Sequence, residues 1–352
     1  MRVHVSPAAP VAFLFGAVTA VWGLSAPAVA ADGSRVLFSF QDERIAESSG
    51  LAASHRHRGV YWTHNDSDDG PYVYAVDSRG RTVATVTLRG VDPRDVEGIS
   101  VTPSGQVYVG DIGDNLDGEW PEVWIYRFTE PEQLADTTVD VVRYRVQYAD
   151  GPRNAEALMV HPRTGRVYIA SKETADRAGL YAGPRELTPD GVNTFTRVDQ
   201  VPWVTDGAFS PDGRHLALRG YLWASEYTWR DGKLGDRRRL PAPLRGQGEA
   251  VTYTADGRSL LFGSEGAGSD VWQFDLTEPE EEADGKGNAG GEGSDAETDG
   301  DRGKGGDSVD DRGGDTADDA SGQRDTTSRV LLGVLATVGL VVVVLRLFRR
   351  RK

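Results

Sequence analysis

A short segment recurs five times between residues 49 and 262, and its period restricts the fold more than any other feature of the chain. Its copies are Ser49-Gly50-Leu51, Glu97-Gly98-Ile99, Glu156-Ala157-Leu158, Asp206-Gly207-Ala208 and Glu249-Ala250-Val251. Each is followed by a turn rich in Gly or Pro (SHRHRG, TPSG, HPRTG, SPDGR, TADGR) and then by a short apolar strand such as Val60-Tyr61-Trp62 or Val167-Tyr168-Ile169. Successive anchors lie 48, 59, 50 and 43 residues apart. A unit of this length made of strands and turns cannot bury both its faces alone. Radial stacking of such units does bury them, which predicts a β-propeller with one repeat per blade.

The rest of each repeat supports that reading. Third strands with aromatic residues are expected at 72–76, 123–126, 179–181, 226–229 and 271–274, and fourth strands at 82–88, 139–148, 195–201 and 237–240. The fifth repeat has no fourth strand of its own, because an acidic segment begins at Glu278. Arg35-Val36-Leu37-Phe38-Ser39-Phe40 is the candidate to fill that place by pairing with residues 271–276, which would leave no open sheet edge. The expected fold is all-β, a five-bladed propeller over residues 31–277 closed by the N-terminal strand. A sixth, degenerate blade in the long 97–156 interval is the alternative.

The flanking segments predict a membrane-tethered ectodomain. Arg2, an apolar run from Val11 to Leu24 and Ala28-Val29-Ala30 read as a secretory signal peptide over 1–30. Residues 278–328 carry 17 Asp or Glu against 5 Lys or Arg and no aromatic residue, a composition that predicts a disordered acidic linker. Residues 329–348 are expected as one transmembrane helix, the apolar stretch 330–348 spanning about 28 Å at about 1.5 Å per residue. The basic tail 349–352 then places the C-terminus in the cytoplasm, a single-pass type I topology in the cell membrane with the repeats extracellular. With no cysteine in the chain, disulfides, thiol catalysis and thiolate metal sites are excluded. The net charge of -15 and the lack of a basic stripe beyond Arg237-Arg238-Arg239 argue against nucleic-acid binding. A monomeric ectodomain is expected, and its envelope ligand or protein partner is not named by the sequence.

The stretch Ala208-Phe209-Ser210-Pro211-Asp212-Gly213-Arg214 resembles the SPDGR turn of TolB-like, YVTN-like and WD40-like bacterial propellers. Asp95-Val96-Glu97-Gly98-Ile99, together with Gly110-Asp111-Ile112-Gly113-Asp114-Asn115, resembles secreted propellers near the SMP-30, NHL and phytase-like esterase families. The resemblance implies the fold over the whole ectodomain. For activity it implies two options, since those families include calcium-dependent hydrolases as well as binding scaffolds.

Candidate chemistry follows from the anchors. The loop entering the first strand of a blade and the loop between its second and third strands lie on one face, so their polar residues should converge. Glu97, Glu156, Asp206 and Glu249 are then expected as a partial acidic ring and candidate metal ligands, with Ser49 in the fifth place. Glu47, Asp95 and Asn154 form a second tier. Asp66, Asp111, Asn115, Lys172, Arg219 and Glu265 join Ser49 as candidate ligand-binding residues. Gathered carboxylates repel, so a cation such as Ca2+, direct pairing with Lys172 and Arg219, or a protonated acid must compensate. Asp66-Ser67-Asp68-Asp69-Gly70 hints at a calcium loop, but its glycine falls one position early and the bidentate Glu is missing. There is no GxSxG or HExxH motif, and of six histidines only His64 is placed for chemistry; His55, His57, His161 and His215 fall in turns or strand starts, where solvated roles are expected. The leading expectation is ligand binding or scaffolding through an acidic, cation-assisted central face. The alternatives are a calcium-dependent hydrolase of an ester, lactone or phosphoester, with His64, Glu97 or Glu156 handling the proton, and a structural envelope protein.

Overall fold

A computed structural model describes residues 34–66, 69–115, 118–174, 177–243 and 246–276. The predicted signal peptide, acidic linker, transmembrane helix and tail lie outside them, as do Ser67 and Asp68 of the acidic loop. Among the described residues the chain is all-β, with 21 strands and no helix.

The strands fall into antiparallel groups of four that follow the repeats. After β1 (Ser34–Ser39), the first group is β2 (Ser48–Ala53), β3 (Val60–Asn65), β4 (Tyr72–Asp77) and β5 (Thr82–Leu88), hydrogen-bonded in that order. The second comprises β6 (Val96–Val101), β7 (Gln106–Asp111) and β8 (Val123–Thr129), with β10 (Val142–Tyr148) as its outer strand. Between them, β9 (Thr137–Val139) crosses to pair in parallel with β5. The third group is β11 (Ala155–Val160), β12 (Val167–Ser171), β13 (Leu180–Ala182) and β14 (Val192–Asp199), and the fourth is β15 (Asp206–Phe209), β16 (His215–Gly220), β17 (Trp223–Arg230) and β18 (Lys233–Leu240). The last is β19 (Gly248–Tyr253), β20 (Ser259–Ser264) and β21 (Asp270–Asp275), completed by β1.

The N-terminal strand therefore fills the place expected for it. Val36 lies opposite Trp272 and Ser39 opposite Asp270 in antiparallel register, so the two ends of the repeat region share one sheet. Among the described residues the long interval between 97 and 156 holds no further group; its extra length includes β9 and the turn before it. The single strand expected over 139–148 is thus two strands, β9 extending the first group while β10 completes the second. A parallel pairing of β10 with β14 also joins the second and third groups at their outer edges.

Packing explains why the groups need one another. Each apolar cluster straddles a seam between neighbours. Trp62, Val73 and Val86 meet Ile99, Val109 and Phe128, and Tyr144 and Val146 meet Leu158, Ile169 and Phe195. Met159 and Leu180 meet Leu216 and Trp229, and Ala217 and Leu240 meet Val251 and Phe262. The last seam puts Phe38, Phe40, Leu261 and Val271 against Tyr61 and Tyr74 of the first group. Inner strands β2, β6, β11, β15 and β19 touch in that order, and β19 touches β2 again. At about 1.5–3 kcal/mol per fully buried large apolar side chain, these seams dominate the stability of a chain without disulfides.

Candidate functional site

The anchor residues owe their placement to a local irregularity. In β2, β6, β11 and β19 the register against the next strand shifts across Ser49, Glu97, Glu156 and Glu249 respectively, leaving that residue unpaired in a β-bulge. A bulge turns a side chain away from the regular alternation of the strand. All four are buried. The small residue after each, Gly50, Gly98, Ala157 or Ala250, is required because inner strands crowd one another. A Cβ on Gly98 would lie 2.7 Å from both the Cβ and the backbone N of Leu158.

Three carboxylates gather beside this ring. Asp66, Asp95 and Glu97 each offer an oxygen, and the three atoms lie within 4.8 Å of one another. Asp66 follows β3 of the first group, whereas Asp95 and Glu97 flank the start of β6 in the second, so the cluster bridges two repeats. Neighbouring polar groups orient it. Ser49 Oγ donates to Glu97 Oε2 at 3.0 Å, and Asn115 Nδ2 donates to Asp95 Oδ2 at 3.0 Å. Asn115 in turn accepts from Asn154 Nδ2 at 3.3 Å, and Asn154 Oδ1 accepts the backbone N–H of Asp114 at 2.9 Å. Gly113 lets the chain pass here, since a Cβ would sit 2.5 Å from Asp95 Oδ2 and 2.7 Å from Glu97 Cγ.

An ammonium acts on the same acids. Lys172 forms an ion pair with Glu156, and its Nζ lies 5.2 Å from the ring centroids of both Trp203 and Tyr221. Burial opposes the Lys172 charge, but Glu156, Tyr221, Glu249 and Glu97 together hold its pKa above the ordinary lysine value. Burial also drives the carboxyl of Glu97 well above the usual range, with Glu156, Asp66 and Asp95 adding repulsion and Lys172 pulling back. Glu156 and Glu249 are raised by burial as well, again against the pull of Lys172. Glu265 is pushed up to about 8 by burial and by repulsion from Glu249, Asp66 and Glu47. Glu156 Oε2 and Glu249 Oε2 are buried with no hydrogen-bond partner. One ammonium thus faces several desolvated carboxyls, whose burial and mutual repulsion favour the protonated form.

No family model matches the chain, and no curated protein matches it. Among solved structures it is similar to the PQQ-bound aldose sugar dehydrogenase of Streptomyces coelicolor, with 13% identity and a TM-score of 0.42 over 68% of this chain and 96% of that one. A gluconolactonase from Xanthomonas campestris is 17% identical, with a TM-score of 0.42 over 69% of this chain and 89% of that one. The WD40 repeats of RRP9 are 11% identical, with a TM-score of 0.40 over 71% of this chain and 99% of that one. At these values they bring neither an activity nor a ligand to this chain, whose fold rests on its own strand pairing.

The expected site residues divide into two sets. Glu97, Glu156, Glu249, Glu265, Asp66, Ser49, Lys172 and Asn115 belong to the connected cluster. The others are engaged in holding the fold. Asp206 lies in β15, which pairs with β16 without a bulge and sets Asp206 opposite Arg219. Its oxygens accept the backbone N–H of Gly207 at 2.7 Å and of Val251 at 2.8 Å, fastening the fourth group to the last. Arg219 is fully buried and donates through Nη1 to the carbonyls of Ala250 and Gly263 at 2.8 and 2.7 Å; burial lowers its pKa to about 10 despite Glu249 and Asp206. Asp111 accepts from the backbone N–H of Asp95 at 2.9 Å and from the Tyr126 hydroxyl at 3.1 Å.

His64 is buried, with burial lowering its pKa. Its Nδ1 is bonded at 3.0 Å to the Asn65 carbonyl, and its Nε2 is packed against Gly50. His161, expected to be solvated, is instead buried against Phe209 with its Nε2 3.1 Å from the Gly213 carbonyl. Asp69 spends its oxygens inside its own loop on Asn65, Gly70 and Tyr74. Tyr221 and Gln247 escaped the sequence reading: Gln247 Nε2 donates to Glu249 Oε1 at 2.6 Å, and Tyr221 flanks the lysine. The signal for both was position: Tyr221 lies in the connector between β16 and β17, and Gln247 in the one leading into β19.

Proposed function

We propose that the chain is a membrane-anchored, extracytoplasmic propeller of five blades that binds a ligand at its acidic centre with the help of a calcium-like cation. The supporting observation is the approach of Asp66, Asp95 and Glu97, three carboxylates from two neighbouring groups, within 4.8 Å of one another. An all-oxygen donor set of this kind suits a hard cation, which takes six to eight oxygens at about 2.3–2.6 Å in flexible geometry. Three carboxylates leave coordination positions for water or for oxygens of a ligand. Bound charge would also relieve the repulsion that raises Glu97, and Ser49 and Asn115 already fix two of the donors.

A metal-assisted hydrolase of an ester, lactone or phosphoester is the second reading. In that version the cation would polarise the substrate oxygen, and Glu156, raised by burial and outside the three proposed ligands, would handle the proton. His64 is buried with its Nε2 lacking a hydrogen-bond partner, so that version would rest first on the carboxyls.

Calcium titration of the metal-stripped full-length chain by calorimetry tests the proposal. Saturable binding is expected, weakened about tenfold or more in Glu97→Gln and in Asp66→Asn, since each removes an anionic donor. Asp206→Asn should leave the affinity unchanged. Absence of binding, or equal binding in all variants, would end the cation reading. An ester and lactone panel with and without chelator separates the hydrolase from the binding protein.

A further inference from the structure

Outside the acidic centre, the first two groups enclose a groove of opposite character. It has a volume of about 530 Å³ and is lined in part by Arg89, Arg94, Trp124, Tyr126 and Arg143. In a chain whose net charge is -15, arginines gathered at one groove need an explanation.

The arginines are organised by stacking. The Arg94 guanidinium lies 4.0 Å from the ring centroid of Trp120 and 3.8 Å from that of Trp124, and Arg143 lies 5.3 Å from the Trp124 ring. Stacking uses the faces of a guanidinium and leaves its edge donors available, while the indole surfaces remove water from around the charge. Arg94 Nη2 donates to the Glu122 carbonyl at 3.1 Å, and its buried Nε has no hydrogen-bond partner. Arg143 stands opposite Tyr126 in the β8–β10 register and, among the described residues, makes no ion pair with a carboxylate. Asp111 and Glu122 both feel the Arg94 charge, but each is also bonded elsewhere, Asp111 to the Asp95 backbone N–H and to Tyr126. Asp140 is paired with Arg89 at 2.8 Å, Glu122 with Arg145 at 2.6 Å, and Asp92 is left in the lining.

We propose that this groove is an anion subsite, in which Arg94 and Arg143 bind a phosphoryl or carboxylate group of a small-molecule ligand. Guanidinium edges match the oxygens of either group, and such charge-assisted bonds are about twice as strong as neutral ones. Arg94 directly precedes Asp95 and lines one pocket with Asp95 and Asp66, so the subsite is tested with the acidic centre free of metal.

The test is titration of the full-length chain, in chelator so that the centre is metal-free, with inorganic phosphate and separately with glucuronate. Tryptophan emission is the readout, since Trp120 and Trp124 flank the site, and sodium chloride at matched ionic strength is the control. Saturable binding of one anion is expected, weakened about tenfold in Arg143→Ala and in Arg94→Lys, which keeps the charge but loses the fork. Arg238→Ala, which removes an arginine paired with Glu226 on β18, should bind like the parent. Arg143 is exposed, so its variant reports on binding without a folding penalty. Saturation by neither anion, or an unchanged affinity in Arg143→Ala, overturns the proposal; the stronger of the two anions identifies the ligand's acidic group.

Discussion

Glu265 illustrates how burial and like charge act together on a single side chain. Its carboxyl titrates near 8 because burial and three neighbouring acids all disfavour the ionised form. In the unfolded chain the same group ionises near 4.5, so between these values the folded state holds more proton than the unfolded one. Stability from this group is therefore complete below about pH 4.5 and is lost as the pH rises through about 8. Thermal melts of the metal-free chain across that window should show a falling midpoint, with a shallower slope in Glu265→Gln; an identical slope would mean that Glu265 is ionised throughout. The residue types at this site could be read from the sequence, as could their approximate convergence. Their individual fates could not. Asp206 and Glu249 occupy the same position in the repeat, yet one is consumed by two backbone N–H groups and the other faces Lys172.

At the scale of the element, the difference between those two acids is a bulge. Four first strands carry one at the anchor and β15 does not, so the same residue pattern sends its acid in two directions. Bulges depend on how one strand meets the next, which a single strand's residues do not encode, and the acidic ring expected from the repeat was therefore only partly correct. The strands themselves were more legible, because alternation and turn chemistry act locally. The expected fourth strand at 82–88 coincides with β5, whereas the one at 139–148 divides into β9 and β10, with β9 recruited by a distant partner. The small residue of the anchor has an equally local cause in the crowding of first strands. Gly98→Ala should destabilise the fold by about 1–3 kcal/mol, the usual cost of overpacking, because the nearest obstacle is backbone at Leu158 rather than a movable side-chain tip. Urea denaturation would measure it. A change below about 0.5 kcal/mol, ordinary for an uncrowded surface position, would mean that β6 and β11 can separate without loss.

For the whole molecule, the decisive interaction is the one between its most distant strands. β1 pairs with β21, and Phe38 and Phe40 from this end pack with Tyr61 and Val271 to seal the last seam. This closure was legible from the missing fourth strand of the fifth repeat, since an open edge in the fold would be both unstable and adhesive. Its energetic consequence is that no group is independent: each apolar cluster is shared by two neighbours, so opening one seam exposes both halves of the cluster it holds. The seam between the last group and the first is joined by the only sheet that contains both ends of the described chain, and it should set the stability of the rest. Phe38→Ala is expected to cost about 3–5 kcal/mol, typical of a large buried aromatic side chain. Deleting residues 34–40 should go further and replace the single cooperative thermal transition by broad, early melting with exposed apolar surface that binds a hydrophobic dye. Retention of one sharp transition in the deletion variant would show that the remaining seams hold the ring without its closing strand.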